Sequence, residues 1–323
     1  MTASQIISGT LEPALEPGRP PVLTVPPPAR AGWPERHAEA ARAVAREHGS
    51  LLIRGLDLCE HSDFRVAGNA LLGSLSIERE GFAPRDDHGG GLYSGTRWPA
   101  DQPMCMHHEL SYRTEFPELL AFGCVRAPEA GGETALADAA DVFDALPADI
   151  RNPFSEHGWI LTRNYGDLLG VDWRDAFGTS ERTEVERRCA AAGIEFSWGP
   201  DDVLHTVQRM PAVRVDPNTG RRCWFNQVAF LNEWTMEPAV RDYLIAEFGR
   251  EHGLPFTTYL GDGSPLDLET VDRINATYDA HTVSTPWRDG DLLLVDNTRT
   301  AHSRQPYRGD RTVVAMHGPL VHR

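Results

Sequence analysis

The sequence predicts a mixed, mainly β architecture: a barrel or sandwich of strands with helices around it. Three observations lead there. Short apolar runs of strand character recur through the second half without the regular strand–helix alternation of a parallel α/β sheet. Amphipathic stretches with start and stop signals lie irregularly between them. No internal repeat or linker-like shift in composition divides the 323 residues, and 41% hydrophobic residues suffice for a sizeable core.

The elements follow in order. Residues 1–32 are Pro-rich, with Pro26-Pro27-Pro28, and read as an extended arm ahead of a single domain over 33–323. Pro34 opens a helix that Gly49 stops after about His48. A short strand over 50–54 and a helix over 62–73, with Ser62 as its N-cap, come next. Residues 80–103 hold Gly89-Gly90-Gly91 among prolines and charges and read as a long lid loop. Strands are expected at 104–109 and 118–125, and Asp138 caps a helix reaching Ala145. Further helices are expected at 183–192, through a Thr183–Glu186 capping box, at 237–252 and at 266–280. Strands are expected at 204–215, 221–230, 281–285, 291–296 and 311–317, with 216–220 turning between the first two.

Charge narrows the function. Lys and Arg total 31 against 47 Asp and Glu, a formal net charge of −16. Such a surface repels phosphate backbones, and the arginines form no patch, so nucleic-acid binding is disfavoured. No apolar run approaches the ~18 residues of a membrane span. The N-terminus lacks the charged and apolar regions of a secretory signal. Five scattered cysteines without a C-x-x-C pair read as reduced thiols in the cytoplasm, and a cysteine-based zinc site is not expected.

The chemistry concentrates in Met104-Cys105-Met106-His107-His108-Glu109. In an extended chain residues two apart share a face, so His107 and Glu109 point one way and His108 the other. A third ligand must come from elsewhere, and His302, after the apolar 291–296 run and a turn, is the best candidate. Two histidines and a carboxylate leave open positions on a metal, as in non-haem Fe(II) oxygenases. Taken alone, the H-x-E triplet reads more readily as a hydrogen-bonded histidine beside a surface acid. Position 112 is Tyr112, so the zincin H-E-x-x-H is absent, and no zinc-deaminase, nucleophile-elbow, P-loop or dinucleotide signature occurs.

The wider pattern reverses that weighting. Four landmarks occur in order: His107-x-Glu109-x-Ser111-Tyr112, Gly131-Gly132-Glu133-Thr134, Asp296-Asn297 followed by His302, and Pro306-Tyr307-x-Gly309-x-Arg311. Together they resemble the TauD/TfdA superfamily of Fe(II)/2-oxoglutarate-dependent dioxygenases. Within it they are most similar to the SyrP-like branch, which acts on amino acids in natural-product pathways. The likeness is strong over 104–138 and 290–316, diffuse over about 45–320, and leaves the Pro-rich arm uncovered.

The resemblance implies a double-stranded β-helix (jelly-roll, cupin-like) core with surrounding helices. It places His107, Glu109 and His302 on the iron ligands, Thr134 on a hydroxyl that contacts 2-oxoglutarate, and Arg311 on the guanidinium that grips its distal carboxylate, with Arg304 in reserve. Fe(II), 2-oxoglutarate and O2 are then the implied cofactor and cosubstrates. The implied reaction is hydroxylation of an unactivated C–H bond in an amino-acid-like small molecule, free or carried by a carrier protein. Desaturation, epoxidation and cyclisation share its first half. Related halogenases replace the carboxylate ligand by a small residue, and Glu109 argues for hydroxylation. Taurine dioxygenase-like members carry a second Arg four positions on to grip a sulfonate; Ala315 stands there, so a small sulfonate is disfavoured. His108 stands where relatives often have Asn and is read as packing.

Candidate substrate contacts are Tyr93, Ser94 and Trp98 in the lid loop, Ser111 and Tyr112 beside the ligands, and Asn226. Core packing for the aromatics, and a turn or strand-edge role for Asn226, are the competing assignments. Two other classes share the ligand set: a non-catalytic binding protein on the same barrel, and a hydrolytic zinc enzyme, which lacks an evident general base.

Overall fold

A computed structural model describes residues 11–77, 85–95, 98–166 and 171–322. Residues 1–10 of the arm, and 80–84 and 96–97 of the expected lid loop, lie outside the described residues. The chain is mixed α and β around a jelly-roll core.

Its main sheet has six strands in the spatial order Val22–Thr24, Ser50–Arg54, Leu292–Asp296, Leu119–Arg126, Thr312–His317, Leu92–Ser94. The first pair is parallel and the others are antiparallel. Alternation gives the sheet two different faces. Leu51, Ile53, Leu119, Ala121, Leu292, Leu294, Val314 and Met316 form one core with helices Trp33–His48 and His61–Leu72. Leu52, Leu120, Cys124, Leu293, Val295 and Val313 turn inward to meet Leu136 of the opposing layer. Gly123 makes the close helix approach possible, because a Cβ there would lie 2.2 Å from the Phe64 ring.

The opposing layer positions the chemistry. Strand Thr134–Asp138 pairs antiparallel with Thr300–Arg304, which is bridged on its far side to His107. A second, four-stranded sheet runs Phe256–Leu260, Trp159–Tyr165, Leu204–Met210, Glu195–Trp198. Trp159, Trp224, Phe225 and helices Ala139–Ala145 and Leu268–Ala280 build the core between that sheet and the site.

Several expectations hold. The helix Trp33–His48 ends at Gly49 with φ 82°, a left-handed cap natural to glycine. Asp138 accepts from the backbone N–H groups of Ala140 and Asp141, a cap worth about 1 kcal/mol. The Asp216–Gly220 turn joins strands Val213–Val215 and Arg222–Trp224.

Others need correction. Residues 104–109 form no strand: His107 makes one isolated bridge, and Leu110, with φ 53°, turns the chain away. Ser62 is not the cap of its helix; Glu60 and Asp63 form the capping box. Glu181, not Thr183, precedes helix Arg182–Ala192. Helix 237–252 breaks at Gly249, φ 77°, into Pro238–Phe248 and Arg250–Gly253. Pro211 interrupts the 204–215 strand, where it has no N–H to give a ladder. The strand expected over 221–230 ends at Trp224, and 281–285 supplies only a bridge from Val283 to Leu136. Part of the arm joins the domain: Val22–Thr24 is an edge strand of the main sheet.

Candidate metal centre

Backbone pairing brings the two histidines together. The N–H of His107 donates to the carbonyl of His302 at 3.0 Å, and the N–H of His302 returns the bond at 2.9 Å. Residues directly opposite in an antiparallel pair project their side chains to the same side. The ring centroids of His107 and His302 are accordingly 4.4 Å apart. Glu109 reaches the same point, its Oε2 lying 3.8 Å from His302 Nε2. One donor atom from each of His107, Glu109 and His302 lies within 4.8 Å of the others, and all three residues are buried.

The Asp296-Asn297 segment explains how Glu109 is held. Asp296 Oδ1 accepts from the N–H groups of Thr298 and Arg299, closing the turn that carries the chain into the Thr300–Arg304 strand. Asn297 accepts from the Glu109 N–H at 2.8 Å and donates to the carbonyls of Glu109 and Pro117, each at 2.9 Å. Gln227 donates to the His108 carbonyl at 2.6 Å. His108 faces away from the cluster, as its alternation predicts, and its Nδ1 donates to the Asn297 carbonyl at 2.6 Å.

Protonation suits a cation. His107 Nδ1 lies 3.0 Å from the Cys105 carbonyl, which can only accept, so Nδ1 carries the proton and Nε2 keeps its lone pair. Burial, reinforced by His302, pushes the His107 pKa down to about 3, so the ring is neutral. Burial opposes ionisation of Glu109, but Arg85, His302, His317 and His107 outweigh it and hold the carboxyl well below its usual range. His302 Nδ1 is buried without a hydrogen-bond partner. Two imidazoles and a buried carboxylate converging on one point fit a divalent ion of the iron type.

The cavity at this cluster is lined by Arg85, Met104, Phe122, Thr134, Arg311 and Ala315 as well as the three donors. Arg311 Nε donates to the Gly132 carbonyl at 2.9 Å. Burial lowers its pKa to about 10, which leaves it a cation at neutral pH. The paired glycines make room for this approach. Gly132 has φ 72°, and a Cβ there would lie 2.9 Å from Tyr307 Cβ and 3.0 Å from Arg311 Cδ. At Gly131 a Cβ would lie 2.2 Å from the Pro306 carbonyl oxygen. Arg304 also lines the cavity, but its terminal nitrogens donate to the carbonyls of Trp98, Pro99 and Gln102.

None of the six candidate substrate contacts lines this cavity. The side chain of Asn226 is spent on the Ala212 carbonyl and the Val228 N–H, which makes it structural. Tyr112 packs in the core, Ser111 is fully buried, and Ser94 accepts from the Asp86 N–H. Tyr93 is buried 6.4 Å from the His317 ring, and Trp98 donates to the Pro103 carbonyl. The sequence reading missed Arg85, 3.4 Å from Glu109 Oε2, and His317, whose Nε2 lies 4.0 Å from the same oxygen. It also missed Phe230, stacked on His107 with centroids 4.6 Å apart. A second cavity, lined by Arg113, Phe177, Glu184, Arg187 and Arg188, lacks a histidine in its lining and is not the metal centre.

The sequence model of the taurine catabolism dioxygenase TauD, TfdA family matches residues 14–317, so the match takes in much of the Pro-rich arm. The dapdiamide synthesis protein DdaC of Enterobacter agglomerans is 31% identical over 278 residues, spanning 86% of this chain and 84% of that protein. A clavaminate synthase-like protein of Arabidopsis thaliana is 29% identical over 284 residues, 84% of this chain and 82% of its own. PvcB of Pseudomonas aeruginosa superposes with a TM-score of 0.57 at 14% identity, covering 98% of this chain and 94% of that one; this likeness shows the fold.

Proposed function

Because the chain belongs to the taurine catabolism dioxygenase TauD, TfdA family, we propose that it hydroxylates an unactivated C–H bond of an amino acid or an amino-acid-derived small molecule. It is an Fe(II)- and 2-oxoglutarate-dependent oxygenase. The observation that carries the reading is the convergence of His107, Glu109 and His302 in one cavity with Thr134 and Arg311. In support of the substrate class, DdaC is named for dapdiamide synthesis, and PvcB is described as an oxygenase from an isonitrile synthetic pathway.

His107, Glu109 and His302 would hold Fe(II). Arg311 would bind the distal carboxylate of 2-oxoglutarate through two parallel N–H···O bonds, since only its Nε is spent on Gly132. Thr134, nearly buried in the same lining, would donate a hydroxyl hydrogen bond. When bound, iron and 2-oxoglutarate supply the oxidising power: O2 and 2-oxoglutarate become succinate and CO2 as the second oxygen atom enters the C–H bond. The protein's part is to fix the donors, exclude water and aim the substrate. Phe230 and Phe122 wall the histidines, with ring centroids 4.6 Å and 5.0 Å from His107 and His302 respectively.

The test is succinate formation from 2-oxoglutarate with added Fe(II), screened with a panel of free and carrier-bound amino acids and followed by product mass. A product heavier by one oxygen supports the reading. Full activity in His302→Ala would overturn the ligand assignment.

A further inference from the structure

A second cavity, of about 350 Å³, shares no lining residue with the metal centre and has no part in the chemistry above. Its size falls in the range of small-ligand pockets, roughly 300–1,000 Å³. Helix Arg182–Ala192 forms one wall. Glu184, Arg187, Arg188 and Ala191 recur at helical spacing and share one face of it. Val185 and Cys189, on another face, go to the core. Phe177 and Ile194 make the cavity's apolar side.

Two independent features of this cavity point to a ligand. The first is Gln208. Alternation along strand Leu204–Met210 puts Leu204, Thr206, Gln208 and Met210 on the buried side. Leu204 and Met210 belong to two separate apolar clusters, and Gln208 lies between them with 9% of its surface exposed. Gln208 lines the cavity, and its amide makes no hydrogen bond to a described residue. An unpaired buried amide is destabilising, and native interiors rarely keep one.

The second is a local surplus of positive charge in a chain whose net charge is −16. Arg187 donates Nε and Nη2 to Glu184, each at 2.8 Å. Arg188 donates Nε to the same carboxylate at 2.8 Å and Nη1 to the Phe177 carbonyl at 2.6 Å. Hydrogen bonds from Arg187 and Arg188 hold the Glu184 pKa at about 2, so it is a full anion at neutral pH. One carboxylate thus serves two guanidinium groups, and the trio keeps one net positive charge. Among the described residues nothing takes Nη1 of Arg187 or Nη2 of Arg188. Arg113 also lines the cavity and has a partner of its own, so the surplus is counted without it.

We propose that this cavity binds a small organic anion, a carboxylate or a phosphate monoester with an apolar body and a second polar group. The anionic group takes the spare N–H groups of Arg187 and Arg188, whose planar forks match either anion. The apolar body lies against Phe177 and Ile194. The second polar group pairs with the Gln208 amide. Arg188 contributes more than Arg187, because its side chain is 29% exposed against 67%, and a less solvated cation attracts an anion more strongly. The site is separate from the metal centre, and the proposal stands whether or not that centre holds iron.

The experiment is titration calorimetry of the full chain. The probes are 4-hydroxyphenylacetate, 4-nitrophenyl phosphate, the neutral 4-hydroxyphenylethanol and inorganic phosphate. At least one of the organic anions binds, one per chain, about tenfold or more tightly than the neutral alcohol and than inorganic phosphate. Which of them binds tells a carboxylate site from a phosphate site. Gln208→Leu and Arg188→Gln each weaken that binding about fivefold or more. Gln208→Leu leaves the thermal midpoint of the free protein unchanged or raised, since it removes an unpaired buried amide. Arg311→Lys binds the anion as wild type does, which separates this cavity from the metal centre. Absence of saturable binding by either organic anion would overturn the proposal, as would equal binding of the alcohol or of inorganic phosphate. Undiminished binding in Gln208→Leu, or a lowered midpoint in that variant, would make Gln208 structural and overturn it too. Binding lost in Arg311→Lys would move the anion to the metal centre and end the proposal.

Discussion

Asn297 grips the backbone of Glu109 on both sides, accepting from its N–H at 2.8 Å and donating to its carbonyl at 2.9 Å. This fixes the second of the segment's two candidate ligand positions, just where the chain turns at Leu110, φ 53°. A left-handed conformation is unfavourable for a leucine by roughly 1–2 kcal/mol, and the surrounding hydrogen bonds must over-determine it.

Asn297→Ala should therefore weaken metal binding without touching a ligand. It leaves buried polar groups of Glu109 and Pro117 unpaired, at about 1–3 kcal/mol each. The measurement is Co(II) affinity by chelator competition, with folding monitored by circular dichroism. A folded variant with wild-type affinity would refute the positioning role.

Arg311→Lys should raise the 2-oxoglutarate requirement more than Thr134→Ala does, because a charge-assisted fork outweighs one hydroxyl bond, about 1.5–3 against 0.5–1.5 kcal/mol. Arg304→Lys should act chiefly on stability, since Arg304 holds the carbonyls of Trp98, Pro99 and Gln102. The check is 2-oxoglutarate binding to all three variants. Unchanged affinity in Arg311→Lys with marked weakening in Arg304→Lys would exchange the two roles.

Gly132→Ala should mimic a partial loss of Arg311. The new Cβ sits at φ 72° and presses on Arg311 Cδ and Tyr307 Cβ. We expect a weaker hold on 2-oxoglutarate with Co(II) affinity near wild type. Equal loss of both would point to global unfolding at this turn instead.

The metal-free protein should lose stability on mild acidification. Burial holds His107 at about 3 and His317 at about 4, below the 6.5 of a free histidine. A depressed histidine pKa contributes stability above the unfolded value that is lost as pH falls below about 6.5, at roughly 1.4 kcal/mol per pH unit for each ring. Thermal midpoints between pH 7 and 5 test this. His317→Gln should flatten the slope, and a midpoint independent of pH in wild type would contradict the buried neutral rings.

As a proposed iron ligand Glu109 would fill the position a halide needs, so the product should be hydroxylated even in high bromide. Glu109→Ala should lose activity, because the groups around it were built for a carboxylate. Product mass decides it: a halogenated product from wild type would remove Glu109 from the ligand set.

The meeting of His107, Glu109 and His302 was legible because the landmarks occur in order and spacing puts His107 and Glu109 on one side. That spacing worked for a different reason than expected. The segment is not a strand, and a single bridge to His302 with the Asn297 clamp sets both side chains. His317 was legible in principle: Val313, Ala315 and His317 alternate inward on one strand, and two of them line the cavity. Arg85 was not, because a Gly- and Pro-rich loop has no periodicity from which to assign a direction. Helix Ala148–His157 escaped notice behind its internal Pro153, and strand Trp159–Tyr165 behind the buried polar Arg163 and Asn164. Only tertiary partners make such positions tolerable, and Asn164 finds one in the Leu254 carbonyl.

The Glu109–Asn297 contact spans 188 positions of sequence. The entropy of closing so long a loop must be spent before the contact rewards it. During synthesis the segment bearing His107 and Glu109 emerges well before the strand bearing His302. A nascent chain therefore has no three-donor site to charge with metal, and metallation waits for the last strands to dock. The ion then favours only the finished fold: at a free concentration of 100 times its dissociation constant it would add about 2.7 kcal/mol. Metal supply would thus add to the stability of the completed chain as well as to its turnover.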